Sequence, residues 1–507
     1  MSACGPVKRY QPPVSSAKGL REVSLWFALF GVLCLLFADI DIRSPDPSRE
    51  LMRMADGLLH PNFWSVEEIT QSALNTLAFA LQGVALASVA GFGLAMLYRF
   101  ALVRAFCAFI RSIHELFWAL IFIQLFGLSS LTGLLAIAIP YAGTLAKIYG
   151  ELFEETDPAP RQNLLTPKGV SAFFYTTLPL AWKPLTQYTS YRFECAIRSS
   201  IVLGFVGLPT LGYHLETALS EGHYQDASAL LYVLFAMVVS IRWWLKRALL
   251  PLYVIAAFIY LPPIAEINSA YIARFFLEDI VPAPLRDSNL HGIDQLWALG
   301  EWFNHLWYTQ IWPGVSSTLV LSQIALLLTA LLTLLWFPLN SRLFFTRTSR
   351  SVGDGLLIVA RTLPEYLLAF IGTLWIGPSM LPAIVALGIH NGAIIAHLLG
   401  RYTDTLVLRD DAPQGSNRYF FEVLPRVYRQ FLAFLLYRWE VIMRETAILG
   451  MLGVGTLGFY IDSAFEEFRF DRAMLLILCA AGLNMIADMS ARFLRQRLHL
   501  KTTPETL

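Results

Sequence analysis

Charge is scarce in this chain. Of 507 residues only 15% are Asp, Glu, Lys or Arg, against about 25% in soluble domains. The 38 basic residues nearly cancel the 37 acidic ones, so the chain carries no basic field that would attract nucleic acid. Cysteine is scarcer. Cys4, Cys34, Cys107, Cys195 and Cys479 are the whole complement and no two stand close together, which argues against a disulfide framework or a Cys-rich metal site. The nine histidines show no HExxH spacing, and no GxxxxGK[ST] occurs, so neither a zinc-hydrolase helix nor a phosphate-binding P-loop is present. What fills the sequence instead is apolar: 56% of residues are hydrophobic and the mean hydropathy is +0.55. That much oily surface has to face lipid.

A helical membrane crossing needs about 20 mostly apolar residues. Candidate crossings fall near 24–40, 73–97, 105–126, 131–149, 187–209 and 228–245, then near 249–264, 315–339, 356–376, 380–399, 433–455 and 473–491, about twelve in all. Lys8, Arg9, Lys18 and Arg21 precede the first run, as in a signal peptide, but the run ends at Ala38-Asp39-Ile40-Asp41-Ile42-Arg43. That is no small-x-small cleavage site, and the run reads as an uncleaved first crossing. With the N-terminus inside, the inner connections collect arginines, including Arg99, Arg104, Arg342, Arg347, Arg350 and Arg492, whereas the outer connection near 213–227 holds Glu216, Glu221 and Asp226 with no Lys or Arg. The positive-inside rule then places both termini in the cytoplasm.

The chain carries one signature twice. Residues 188–212 read YTSYRFECAIRSSIVLGFVGLPTLG and residues 434–458 read FLLYRWEVIMRETAILGMLGVGTLG; 10 of the 25 positions are identical at an offset of 246. RSIHELFWA at 111–119 likewise matches RTLPEYLLA at 361–369 at an offset of 250. Six crossings per repeat is an even number, so both repeats enter from the same side and are parallel, with units 1–247 and 248–507. The fold expected is an all-α polytopic membrane protein of two six-helix repeats. In the outer segment 265–312, Leu296, Leu299, Phe303, Leu306 and Trp307 recur at helical spacing. This reads as an amphipathic helix with its tryptophans at the lipid headgroups, or as a docking surface for an outside partner.

The inner connections 150–184 and 400–430 share a pattern. Gly169 stands ten residues before Pro179 of Leu178-Pro179, and Gly415 ten before Pro425 of Leu424-Pro425; a Phe pair precedes each Leu-Pro. Asp410-Asp411-Ala412-Pro413 reads as a helix start and Pro425 as a helix breaker. Three motifs in the same order now stand twice: Arg-x-x-x-Glu (Arg111/Glu115 and Arg361/Glu365), the inner loop ending in Leu-Pro, and Tyr-Arg-aromatic-Glu followed by Arg and a Gly-rich turn. In this the chain resembles the permease subunits of binding-protein-dependent ABC importers of the phosphonate type, with two copies fused. The resemblance covers about 70–250 and 315–495. The family's inner loop carries Glu-Ala-Ala and a Gly thirteen residues before the Leu-Pro proline; here Thr166 and Ala412 stand at those positions and no Glu-Ala-Ala precedes them.

The resemblance implies a type I ABC permease fold in the bacterial inner membrane. It implies no cofactor in this chain, with ATP bound by a partner, and two ATPase subunits docked at Gly169, Leu178, Pro179, Gly415, Leu424 and Pro425. It further implies an extracytoplasmic substrate-binding protein, and uptake of phosphonate, phosphate or phosphite by alternating access. The residues add a candidate pathway. Arg192, Glu194 and Arg198, and their repeats Arg438, Glu440 and Arg444, lie within apolar crossings, where charge costs a few kcal/mol. One reading pairs Glu with Arg four residues on and makes the set structural. The other lines a path for an oxyanion, whose geometry suits the guanidinium fork. Asp488 in the last crossing has no acidic counterpart in the first repeat and reads as half of an ion pair. The competing function is a twelve-span carrier driven by an ion gradient, with Glu194, Glu440 or Asp488 as coupling group.

Overall fold

The computed structural model describes residues 14–64, 68–163, 169–265, 267–287, 291–498 and 500. Lys8, Arg9, Cys4, Thr166, Lys168 and Lys501 lie outside them, as does 164–168 of the first inner loop. Regular structure among the described residues is helical throughout. In the first repeat the longer helices are α1 (Val14–Cys34), α2 (Pro47–Leu59), α3 (Ile69–Met96), α4 (Ala101–Ser112), α5 (Glu115–Phe126), α6 (Ser130–Glu154), α7 (Leu178–Val202), α8 (Leu211–Ser220) and α9 (Tyr224–Trp244). In the second they are α10 (Leu250–Tyr260), α11 (Ile293–Leu306), α12 (Trp312–Trp336), α13 (Arg347–Thr362), α14 (Glu365–Ile376), α15 (Met380–Thr403), α16 (Leu424–Ile448), α17 (Leu457–Glu466) and α18 (Phe470–Arg497).

Seven helices are long and apolar enough to cross a membrane, and up to eleven crossings result when each bent pair is one. Packing decides how a bent pair should be counted. Gly83 faces Ile137, Gly91 faces Leu145 and Gly150 faces Tyr98, so α3 and α6 run parallel. Gly388 against Leu328, Gly392 against Leu332 and Gly400 against Phe337 make α12 and α15 parallel in the same way. The chain between two parallel helices must return across the membrane. The returns are made by α4 with α5, bent by 88°, and by α13 with α14, bent by 86°. Gly19 touches Leu498, so the first and last helices meet at one face, called here the terminal face.

The passage at 249–264 differs from the expected span. α10 has 11 residues, about 17 Å of helix, too short to cross alone. It starts beside the terminal-face end of α9, where the Tyr253 hydroxyl donates to the Trp244 carbonyl at 2.8 Å. Pro262 and Pro263 end it, and the chain reaches Ser130 at the opposite end of α6: the Ser130 hydroxyl donates to Pro262 O at 2.6 Å and accepts from Ile264 N–H at 3.1 Å. Helix and extended chain together bridge the two faces. Because proline supplies no N–H, carbonyls are left over at this end. Gln82 of α3 donates to Leu261 O at 2.6 Å and, at 2.8 Å, to Ala257 O, which also accepts from Leu261 N–H.

These contacts also exchange the first crossings. α10, at the start of the second repeat, packs on α3 of the first. α1 packs on the second repeat: Gly31 lies on Leu327, Phe27 meets Trp439 edge-on at 5.1 Å, and the Tyr428 hydroxyl donates to Ser24 at 2.6 Å. Outside the crossings, Asp46 caps α2. The Ser48 hydroxyl at 2.8 Å and Arg49 N–H at 3.1 Å hold its carboxyl below the usual range. The tryptophan-rich helix α11 runs on into α12, with 293–340 forming one continuous helical run. The repeated glycines serve close packing at a turn. Gly207 and Gly453 take φ of 93° and 83°, and a Cβ on Gly212 or Gly458 would collide with the carbonyl of Ile201 or Ala447.

Replacing Gln82 by Leu leaves the half-buried Leu261 carbonyl unmet and removes one of two donors from Ala257 O. The expected outcome is a loss of about 1–3 kcal/mol, read as a lower unfolding temperature of the detergent-solubilised protein.

Candidate functional site: a charged cavity between the repeats

Each bent pair breaks where two residues leave helical geometry. Ile113 (φ −87°, ψ 129°) and His114 (φ −68°, ψ 150°) break the first, and Leu363 (φ −65°, ψ 128°) and Pro364 (φ −57°, ψ 139°) the second. A helix that ends inside a membrane strands its last carbonyls in a place without bulk water. The opposite repeat supplies the donors. Arg198 of α7 donates to Arg361 O at 3.3 Å, and Arg444 of α16 donates to Arg111 O at 3.1 Å. The two bonds are related by the internal repeat. His390 Nδ1 lies 2.9 Å from Leu363 O, and Asn484 donates to Ser112 O at 2.8 Å.

Behind the first break sits an ion-pair cluster. Arg111 pairs with both Glu440 and Asp488, Arg492 also pairs with Asp488, and Lys147 Nζ stands 4.0 Å away from it. The side chains of Arg111 and Asp488 are only 8% and 4% exposed. Two acids on one guanidinium, reaching from α16 and α18 to α4, tie the repeats together in a medium that penalises any lone charge.

The breaks open onto a cavity of about 150 Å³ between the repeats. α5, α6 and α7 supply one wall; α14, α15 and α16 supply the other. Five arginines line it (Arg192, Arg198, Arg361, Arg438 and Arg444) with four glutamates (Glu115, Glu194, Glu365 and Glu445) and the histidines His114 and His390. Glu115 accepts from Ser199 at 2.6 Å, and the Glu445 carboxylate accepts from Asn391 at 3.2 Å. Arg192 lies over the Tyr141 ring at 4.2 Å. Among the described residues no group of three or more His, Cys, Asp or Glu is arranged to hold a metal.

Of the six charged residues singled out in the sequence, Arg192, Glu194, Arg198, Arg438 and Arg444 line this cavity and Glu440 does not. The expected pairs four residues apart do not form. Glu440 turns to Arg111 instead, and Arg198 spends its guanidinium on Arg361 O, on His390 Nε2 at 3.2 Å and on Cys195 Sγ at 3.3 Å. Asp488 does form an ion pair, with two arginines. Glu115 and Glu365 belonged to a recognised motif, but only the bends turn them inward. Glu445, His114 and His390 carried no signal in the sequence beyond a lone polar residue in an oily run.

The loop residues lie at the terminal face. Gly169 and Gly415 take φ of 118° and 62°, and helical structure starts just after each. No helix begins at Asp410–Pro413 and none breaks at Pro425. Pro179 and Pro425 sit in the first turns of α7 and α16, each preceded by a π-turn, Phe173–Thr177 and Arg418–Val423. Wider turns relax the clash that a proline ring makes with the turn before it.

Two repeats, a polar cavity between them at mid-membrane, and broken helices whose ends point into it define a membrane transport permease. Comparison with known proteins narrows the class. The chain is 25% identical over 500 residues to a phosphate-import permease protein, PhnE, of Mycolicibacterium smegmatis, covering 89% of this chain and 90% of that one. It is 29% identical to a phosphite transport system permease protein, PtxC, of Stutzerimonas stutzeri, over 36% of this chain and 71% of that one. It is 31% identical to a putative cryptic phosphonate transport system permease protein, PhnE2, of Escherichia coli, over 23% of this chain and 96% of that one. No protein-family model and no solved structure matches the chain. The chain therefore belongs to the permease family of phosphonate and phosphite import systems. A relative aligned along nearly its full length fits two permease units fused in one chain, and the reading as an ion-driven carrier is not favoured.

Asp488→Asn or Glu440→Gln should lower stability by about 1.5–3 kcal/mol, because Arg111 keeps its charge and loses one of its two acids. Combining both with Arg111→Met should restore much of that loss. Thermal unfolding of the three variants and the parent in one detergent checks this.

Proposed function

We propose that this chain forms the membrane passage of an ATP-driven importer for a small phosphorus oxyanion, phosphonate, phosphate or phosphite, working by alternating access. The observation that carries the reading is the cavity between the repeats: five arginines converge there in a space of about 150 Å³. A guanidinium presents paired donors to a tetrahedral oxyanion. The N-termini of α5 and α14 open at the same place, and helix N-termini favour anions. The glutamates temper the field, so an anion is attracted without being trapped.

The terminal face is the cytoplasmic one in this reading, by its arginines, which places both termini on the cytoplasmic side of an inner membrane. ATP is bound by a separate subunit, two copies of which dock on the inner loops at Gly169, Leu178 and Pro179, and at Gly415, Leu424 and Pro425. Both loops offer exposed aromatic side chains, Phe174 and Tyr175 in one and Phe420 and Phe421 in the other, as a protein contact would use. The second is braced, with buried Glu422 held by Arg409 at 3.1 Å and Arg426 at 2.6 Å. An extracytoplasmic binding protein delivers substrate to the opposite face. Movement of one repeat against the other breaks and remakes the crossed bonds of Arg198 and Arg444.

Purified from its native membrane, the chain should bring ATPase subunits with it in fixed ratio; their absence would return the carrier to contention. Arg198→Gln and Arg444→Gln should each cut phosphate or methylphosphonate uptake at least about tenfold, the worth of a charged hydrogen bond, at normal protein level. Normal uptake at normal level would sink the oxyanion pathway.

A further inference from the structure

The duplication makes every cavity arginine one of a pair, yet the structure treats the partners unequally. Arg111 and Arg361 occupy equivalent positions at an offset of 250. Arg111 is withdrawn from the cavity and held by Glu440 and Asp488. Asp488 has its counterpart, at an offset of 246, in Arg242, and the acid nearest the second break on its own helix, Asp354, is paired with His397 at 2.9 Å instead. Arg361 faces the cavity with no side-chain hydrogen bond or ion pair among the described residues. Arg192 and Arg438 are the other pair. Arg192 is laid over Tyr141. Tyr141 is replaced by Asn391 in the second repeat, and Asn391 donates to Glu445. Arg438 consequently has neither a ring beneath it nor a hydrogen bond of its own among the described residues, although it lines the cavity. Arg198, Arg361 and Arg438 all lie within electrostatic reach of His390.

We infer that the oxyanion is seated off the pseudo-twofold axis, by Arg361 and Arg438 of the second repeat, while Arg111 and Arg192 of the first are committed to structure. The inference rests on the oxyanion pathway proposed above and names the ligands within it. The chemistry is that of two half-buried cations that share the cavity with glutamates but form no direct ion pair with them among the described residues. Each lone guanidinium in a low-dielectric space carries a cost that a dianion or monoanion removes on arrival, whereas Arg111 already has two acids and gains little. The paired donors of Arg361 and Arg438 meet two edges of a tetrahedral group. A fused chain can hold such asymmetry, because its two halves need not share one sequence.

The test uses the full chain in lipid nanodiscs, titrated at constant ionic strength with inorganic phosphate and, separately, with methylphosphonate. Binding is read by calorimetry and by the anion-dependent rise in unfolding temperature. Arg361→Gln and Arg438→Gln should each weaken binding of both anions about 10- to 100-fold, with an unfolding temperature in the absence of anion no lower than that of the parent. Arg361→Lys, which keeps charge and loses the fork, should fall between and guards against misfolding of the Gln variant. Arg192→Gln should cost less than about threefold, a cation lying on a ring being a weak and already committed partner. Equal losses for Arg192→Gln and Arg438→Gln, or an unchanged affinity in Arg361→Gln, would overturn the unequal seat and leave the pathway standing. No saturable binding of either anion by the parent chain, together with uptake that Arg198→Gln and Arg444→Gln leave normal, would overturn both.

Discussion

Two hydrogen bonds hold this molecule to its architecture: Arg198 to the carbonyl of Arg361, and Arg444 to the carbonyl of Arg111. A helix broken inside a membrane exposes backbone groups that lipid cannot satisfy. The break is tolerable only if another part of the protein supplies donors, and here each repeat supplies them to the other. The charge of the donor and the polarity of the broken end explain one another. The cavity opens at the bends, and the arginines meet carbonyls that the bends expose. The same side chains that stabilise the fold thus stand at the mouth of the space where an anion would pass.

The second constraint is electrical balance. Arg111, with its two acids, is a fastening buried among three helices, and it holds α4, α16 and α18 in register. The cavity beside it keeps an excess of cations, five arginines to four glutamates. In the proposed function, a site that takes up an anion and releases it cannot be neutralised as fully as a fastening. The two regions, a few residues apart on the same helices, show the same chemistry put to both uses. Exchange of the first crossings, α1 onto the second repeat and α10 onto the first, adds an apolar tie between halves that otherwise meet around charge.

Much of this was legible in the residues. The twin Tyr-Arg-aromatic-Glu runs announced the duplication. Runs of apolar residues announced the crossings, and the glycines at 204, 212, 450 and 458 announced a close turn, because nothing larger fits against the facing backbone. Other features were not legible. The hydropathy of 105–126 and 356–376 reads as one straight span each, since averaging over a window cannot see two residues leave helical geometry. The partner of Glu440 was sought four residues away on its own helix, but lies in Arg111, at a sequence distance of 329. Pro425 reads as a helix breaker, yet the helical run passes through it, because the turn ahead of it widens.

By itself the sequence determined that the chain lives in a membrane, that it is built twice over, and which crossings carry charge, because lipid solubility and internal repetition are properties of composition and order. Only the tertiary structure decided which charges neutralise one another and which face a cavity. That choice depends on distances between helices far apart in the chain, and a pair such as Arg111 and Arg361, identical in motif, can be told apart only by what the fold sets beside each.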